Sequence, residues 1–501
     1  MIRISLAAAA ALCFLPAQQS GSQEHGHNNS AEKLGTVSFP TSCSPAVSQQ
    51  FNRAVALLHS FEFGASIRGF SDVASADSTC AMAYWGIALS RWSNPMAPGN
   101  RSAPLLQDGR KAADNALRLS DRASERERGY ITAVSKLYED FENKGQSARV
   151  AAYEKAMSDL VIAQPADTEA KIFHAIALTA SAAPADKTYA KQLKAGTILE
   201  ELWAKQPNHP GLAHYIIHTY DYPALAGKAR AAAQRYSNIA PSAAHALHMP
   251  SHTFTRVGMW NQSVDANDRS MKVAVSNGSI AEALHAADYA MYAYLQMGRE
   301  SDAKKILNEL PALVARFDPK AITGAAPPSA GVFAIAAIPA RWTLERNAWA
   351  EAAALEPKST DYPYSEAMTW FARSLGASRT GDVAKAKIAV DSLASIQRKL
   401  IEKGEPYWAE QVAIQNLEAQ AWVDLAERRE SEALVRMREA VKREDATEKS
   451  AVTPGPLAPA RELLGDMLMQ LKRPAEAKAE YRAVLVKEPN RLRSVRGSGV
   501  P

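Results

Sequence analysis

The segment ARELLGDMLMQLKRPAEAKAEYRAVLVKEP, residues 460–489, reads as two short amphipathic helices joined by a turn. Leu464, Gly465, Ala477, Tyr481 and Pro489 stand at intervals that let small and aromatic side chains close one helix on another in a unit of about 34 residues. The unit recurs. Pro207 and Pro241 lie one such period apart, each after one helix and before the next, and Phe70 and Ser78 fit the end of one unit ahead of Cys80 and Tyr84 in the following one. Between residues 320 and 340 the period blurs, as an insertion would make it. Elsewhere apolar side chains keep helical spacing, as with Phe51, Val55, Leu58 and Phe61, and alternation of period two is nearly absent. Pro, Gly and small polar residues cluster at 94–104, 184, 319–328, 358–363 and 453–459 and mark the breaks. The expectation is an all-α chain of stacked helix-turn-helix hairpins.

With 501 residues, 47% of them hydrophobic and 22% charged, the composition suits a folded chain rather than a disordered one. Lys and Arg number 58 against 53 Asp and Glu, and the excess is scattered, which offers nucleic acid no basic stripe. Residues 1–17 read as an export signal: Arg3 supplies the positive start, residues 4–15 the apolar run and Ala17 a small residue for cleavage. Leu12 before Cys13 departs from a lipoprotein signal, which makes lipid anchoring at Cys13 the weaker reading. No later stretch is apolar for the roughly 18 residues that a bilayer-spanning helix needs. The expected compartment is therefore extracytoplasmic, the periplasm. There Cys43 and Cys80 form an even pair, read as a disulfide closing a loop of 37 residues, with two buried thiols as the alternative.

The expected segments are 1–17 signal, 18–40 flexible tail, 41–205 first repeats, 206–315 central hairpins, 316–365 irregular insertion and linker, 366–490 C-terminal repeats and 491–501 disordered tail. Leu57-Leu58-His59-Ser60-Phe61, the run 80–86, His214-Tyr215-Ile216-Ile217-His218, the run 245–252, Pro454-Gly455-Pro456 and Ala460-Arg461-Glu462-Leu463-Leu464-Gly465 together span most of residues 40–490. In these the chain resembles a family of exported bacterial tetratricopeptide-repeat (TPR) proteins. The resemblance implies a right-handed helical solenoid whose concave groove, lined by the first helix of each pair, binds a protein or peptide partner. It implies no established reaction.

The histidines set this chain apart from a generic scaffold. Of eleven, seven lie between His209 and His285 and none follows. His214 and His218 are four apart, as are His248 and His252, and His245 precedes His248 by three, so each set shares a helix face. Both i, i+4 pairs are offset by 34 residues, which predicts imidazoles of successive first helices side by side in the groove. Aligning Gly258 with Gly298 places His285 beside His245 and Asp288 beside His248. An i, i+4 pair can share one ion, with Zn–N distances of about 2.0–2.1 Å, and a neighbouring helix can add ligands. The expectation is a transition metal, Zn or Cu, on His214, His218, His245, His248, His252 and His285, with Met249 or Met259 favouring copper if a thioether turns inward. Asp221 would orient or ligate, and Asp221, Arg256 and Asp288 would line the ligand groove. Pro250 lacks a backbone donor and is expected to kink the helix carrying His245, His248 and His252.

Two alternatives stand beside this. One is a metal-free groove that recognises a peptide or carboxylate ligand, with Arg256 as the anionic partner. The other is a metal-dependent hydrolase with Glu282 or Asp288 as base. The chain has no G-x-S-x-G elbow, phosphate-binding loop, dinucleotide fingerprint or H-E-x-x-H pair, so catalysis ranks third. His59, His174 and His209 read as structural histidines, and His25 and His27 as solvated ones.

Overall fold

Every regular element in the computed structural model, which describes residues 32–96, 100–183 and 186–499, is a helix. The expected export signal, Cys13, His25, His27 and the break at Pro184 lie outside the described residues. Local chemistry marks the helix ends. Ser124 and Glu127 form a reciprocal capping box, and the Asp167 carboxylate accepts from the Ala170 amide at 3.2 Å. The turns after helices Pro250–Arg256, Trp260–Ser276 and Ile280–Gln296 each pass through a glycine of positive φ, at Gly258, Gly278 and Gly298. Gly258 is needed for space as well: a Cβ there would stand 2.4 Å from the Pro489 carbonyl.

Each helix packs on the next, and the helices Thr168–Ala180, Pro210–Thr219, Ala244–His248 with Pro250–Arg256, Ile280–Gln296, Pro328–Glu345, Pro363–Thr380 and Pro406–Ala426 also touch one another in series. This is the arrangement of stacked TPR-like hairpins. Pro250 does interrupt its helix, which stops at His248 and resumes at Pro250. Residues 33–499 form one unit, and the first apolar core runs unbroken from Leu34 to Phe254, across the expected division at 205–206. Cys43 and Cys80 are joined by a disulfide. No helix of the described residues is long and apolar enough to cross a membrane.

Three segments differ from their sequence reading. Residues 33–40 are docked rather than flexible: the Thr36 amide donates to the Asn208 carbonyl at 2.9 Å, and Phe39 is buried among Phe51, Trp85 and Tyr130. Within 316–365 lies the regular helix Pro328–Glu345, apolar enough to pack on Ile280–Gln296. Of the stretch expected to be a disordered tail, 491–501, residues Leu492–Ser498 are helical. Arg491, fully buried, anchors them through Glu345 at 2.6 Å, Glu462 at 2.9 Å and the Tyr292 hydroxyl at 2.7 Å.

Candidate metal centre

The six predicted histidines come together, but inside the protein rather than on an open groove. All are buried, none more than 6% exposed. The chain covers its own histidine face with two segments that the sequence marked as breaks. The Ala326 amide of the first donates to Glu282 at 2.8 Å, and the carbonyls of Ala451 and Thr453 in the second accept from the Tyr289 hydroxyl at 3.0 Å each.

The imidazoles form two triads. In the first, His214 and His218 of Pro210–Thr219 meet His245 of Ala244–His248, with ring centroids 4.8, 5.0 and 6.0 Å apart. One ligand nitrogen of each lies within 4.8 Å of the other two. His214 Nδ1–H donates to the His59 carbonyl at 2.6 Å, and His245 Nδ1–H donates to Glu282 at 2.9 Å. Burial pushes the Glu282 carboxyl up, but His245, His248 and the Ala326 amide together draw the group down to about 2, so it accepts as a carboxylate. The outer nitrogens of His214 and His245 are thus fixed as donors, and the Nε2 atoms of His214, His218 and His245 are buried with no hydrogen-bond partner among the described residues. Phe61 covers this triad, its centroid 4.4, 5.5 and 5.8 Å from the three rings. It is held at a φ of 55°, a conformation costly for a phenylalanine.

His248, His252 and His285 form the second triad, again with one ligand nitrogen each within 4.8 Å. His248 Nδ1–H donates to Asn267 Oδ1 at 2.7 Å, an amide whose orientation is set by its own Nδ2–H bond to the Ser263 carbonyl. His252 Nδ1–H donates to Asp221 at 3.0 Å. Burial pushes the Asp221 carboxyl up, but Lys449 and Arg256 more than compensate and hold it well below the usual carboxylate range. The Nε2 atoms of His248 and His252 then face each other at 3.0 Å, and His285 Nδ1 is buried without a partner among the described residues. Tyr289 floors this triad, 4.9, 4.8 and 5.2 Å from its rings. Burial, reinforced by the neighbouring imidazoles, holds His214, His218 and His285 well below the usual imidazole range, and lowers His248 to about 3 and His252 to about 4. All five therefore present neutral rings with a free lone pair at neutral pH.

Register explains part of this grouping. His218 and His252, one period apart, stand 6.1 Å from each other as expected. His285, however, lies against His248 at 4.5 Å rather than beside His245. Asp288 does not join the histidines: it is fully buried and bound by Arg341, with Nε–Oδ1 at 2.7 Å and Nη2–Oδ2 at 3.3 Å. Arg256 is not available to an anionic ligand, because its Nε donates to Asp221 Oδ1 at 2.8 Å and its Nη2 to the Asp221 carbonyl at 2.9 Å. Asp221 is an orienting group, for His252 rather than for the nearer His218. Met249 and Met259 pack with the apolar core and bring no thioether to the site.

Sequence reasoning passed over His59, whose carbonyl orients His214 and whose ring shares Glu169 with His209, both at 3.0 Å. It also passed over Phe61, Asn267 and Tyr289 as parts of the site. The motif Leu57-Leu58-His59-Ser60-Phe61 was the available signal, since a short run with a histidine and an aromatic residue turns out to touch the first triad from about 150 residues away.

No protein-family model and no curated protein matches the chain. Among solved structures it is similar to yeast Tom70, at 12% identity over 91% of this chain and 95% of that one, with a TM-score of 0.36. It is also similar to the P58(IPK) TPR domain, at 11% identity over 91% and 96% of the two chains, TM-score 0.23, and to human IFIT1 in a dimer with m7Gppp-AAAA, at 11% identity over 81% and 89%, TM-score 0.37. On its own helix order and packing, the chain has a TPR-like fold.

Proposed function

We propose that this chain is a helical-repeat metalloprotein that binds a transition metal through neutral imidazoles in its interior. The observation that carries the reading is the set of buried, unpartnered Nε2 atoms of His214, His218 and His245, in a triad whose ligand nitrogens lie within 4.8 Å of one another and in which the Nδ1 atoms of His214 and His245 are committed elsewhere. Leaving such acceptors unpaired costs roughly 1–3 kcal/mol each, and a metal ion satisfies all three at once. Histidines whose second nitrogen is held by a carboxylate or carbonyl are the usual form of metal-bound imidazole. All-nitrogen donor sets favour Zn or Cu over Mg or Ca, which take oxygen ligands. An export signal at 1–17 and the Cys43–Cys80 disulfide support a periplasmic or other oxidising compartment.

Metal analysis of untagged protein tests the proposal. At least one equivalent of Zn or Cu per chain, lost on changing His214 and His218 to Ala, is the expected result, and a fully folded protein that takes up neither ion refutes it. The second reading, a scaffold for a peptide or protein partner, draws on the TPR-like fold. It is also supported by a second cavity that shares Tyr364 and Trp408 with the one beside the histidines and is further lined by Met368, Gln411, Lys449 and Lys487. The hydrolase reading loses its bases, because Glu282 is committed to His245 and the Ala326 amide, and Asp288 to Arg341.

A further inference from the structure

We infer that the six histidines hold two copper ions, one in each triad, and that this pair binds dioxygen between its two ions. The inference rests on the metal-binding reading above and goes beyond it in nuclearity, element and ligand.

Two ions follow from the geometry. Each triad converges on its own point, and each is closed by its own aromatic ring, Phe61 for one and Tyr289 for the other. The triads are nonetheless adjacent: His218 lies 6.1 Å from His252, and His245 lies 5.9 Å from His248. One cavity is lined by two rings of each triad, His218 and His245 from the first and His252 and His285 from the second. Three protein ligands leave an ion with an open coordination position, and this cavity adjoins both triads.

The donor set admits copper, and the open position favours the ion that can use it for redox chemistry. Asp221 and Glu282 accept from the far nitrogens of His252 and His245, so the cavity between the triads is faced by imidazoles and by no carboxylate. Three neutral nitrogens suit Cu(I), which tolerates low coordination, and they leave the metal charge uncompensated. A pair of such ions therefore favours a dianion between them.

The cavity selects the ligand. Apart from the histidines its lining is Asn94, Ala325, Ala326, Pro327, Ser329, Ala330, Tyr364, Trp408, Ala451 and Val452, with no charged side chain. Apart from its imidazoles the chamber carries no ionic side chain, so it admits a neutral diatomic more readily than an ionic substrate. Dioxygen entering between two Cu(I) ions takes one electron from each. Its O–O bond order falls from two to one, both ions become Cu(II), and the product is a peroxide dianion bridging them; no proton or external reductant enters the balance.

The test uses the untagged full chain, loaded with Cu(I) under anaerobic conditions. The expected result is two Cu per chain, uptake of one O2 per two Cu, an O–O vibration that shifts with 18O2, and an oxygenated form silent in electron paramagnetic resonance because the two Cu(II) spins couple. His214→Ala and His285→Ala are each expected to keep one Cu, to show an isolated Cu(II) signal on oxidation and to lose O2 uptake. Two Cu without O2 uptake, two Zn with copper refused, or a single ion of any kind per chain overturns the inference while leaving metal binding intact. No metal at all overturns both. The wild-type loading decides the question even where a variant fails to fold.

Discussion

His248 Nε2 and His252 Nε2 face each other at 3.0 Å while the opposite nitrogen of each ring donates to a fixed acceptor, Asn267 for one and Asp221 for the other. Two lone pairs at that distance repel unless a cation stands between them. A shared proton would serve in water, but burial opposes the protonated form of both rings. Added Zn or Cu is therefore expected to stabilise the fold, by about 2.7 kcal/mol when free metal is a hundredfold above Kd. The rise in Tm on titration measures this, and His248→Ala is expected to remove the part due to the second triad only. A Tm that does not respond to either ion contradicts the assignment.

The i, i+4 pairs and the 34-residue offset made His214, His218, His248 and His252 legible as one neighbourhood, because helical spacing and repeat period are properties of sequence alone. Their division into triads was not legible. On an unbroken helix His245, His248 and His252 share one face; the missing amide of Pro250 breaks the helix, and His245 meets His214 and His218 while the other two meet His285. Burial was hidden for a different reason. The covering segments, near Ala326 and Thr453, carry Pro and Gly and read as breaks, and only tertiary contacts show them lying over the histidines. Asp288 was misplaced because its partner, Arg341, comes from the helix Pro328–Glu345, most of which lies in the stretch where the repeat period blurs.

Asp288 and Arg341 are both fully buried and joined by two hydrogen bonds, and Arg341 further donates to Thr453 Oγ1 at 2.7 Å and the Gly455 carbonyl at 3.0 Å. Asp288→Ala leaves a buried guanidinium without its counter-charge, which is expected to cost about 3–5 kcal/mol. Urea denaturation measures the loss. Metal stoichiometry under native conditions is expected to stay at the wild-type value, and its loss would return Asp288 to the ligand set.

Cys43 and Cys80 close a loop between residues 37 apart in sequence. In the chain-entropy account this constrains the unfolded chain by about 4 kcal/mol. Cys43→Ser with Cys80→Ser is expected to lower the unfolding free energy by that order, and reduction of the wild type is expected to do the same. Equal stability of oxidised and reduced protein would show that the bond contributes nothing.

Stability of the metal-free protein is expected to fall on acidification. His248 and His252 titrate near 3 and 4 in the folded protein against about 6.5 when unfolded. Between those values the unfolded chain binds more protons, so their contribution is complete above about pH 6.5 and is lost as pH falls toward 4, at about 1.4 kcal/mol per pH unit for each proton taken up. Glu444 acts with the opposite sign. Burial raises it to about 7 from an ordinary 4.5, so the folded protein binds the extra proton and stability from this group is lost as pH rises through that interval. Unfolding free energies measured from pH 4.5 to 8 separate the two. His252→Asn is expected to flatten the acid limb, while Glu444→Gln, whose amide oxygen can still accept from Ala460, is expected to raise stability at pH 8 and leave it unchanged at pH 4.5. An acid limb that survives His252→Asn unaltered would mean that this imidazole is not held neutral by its surroundings.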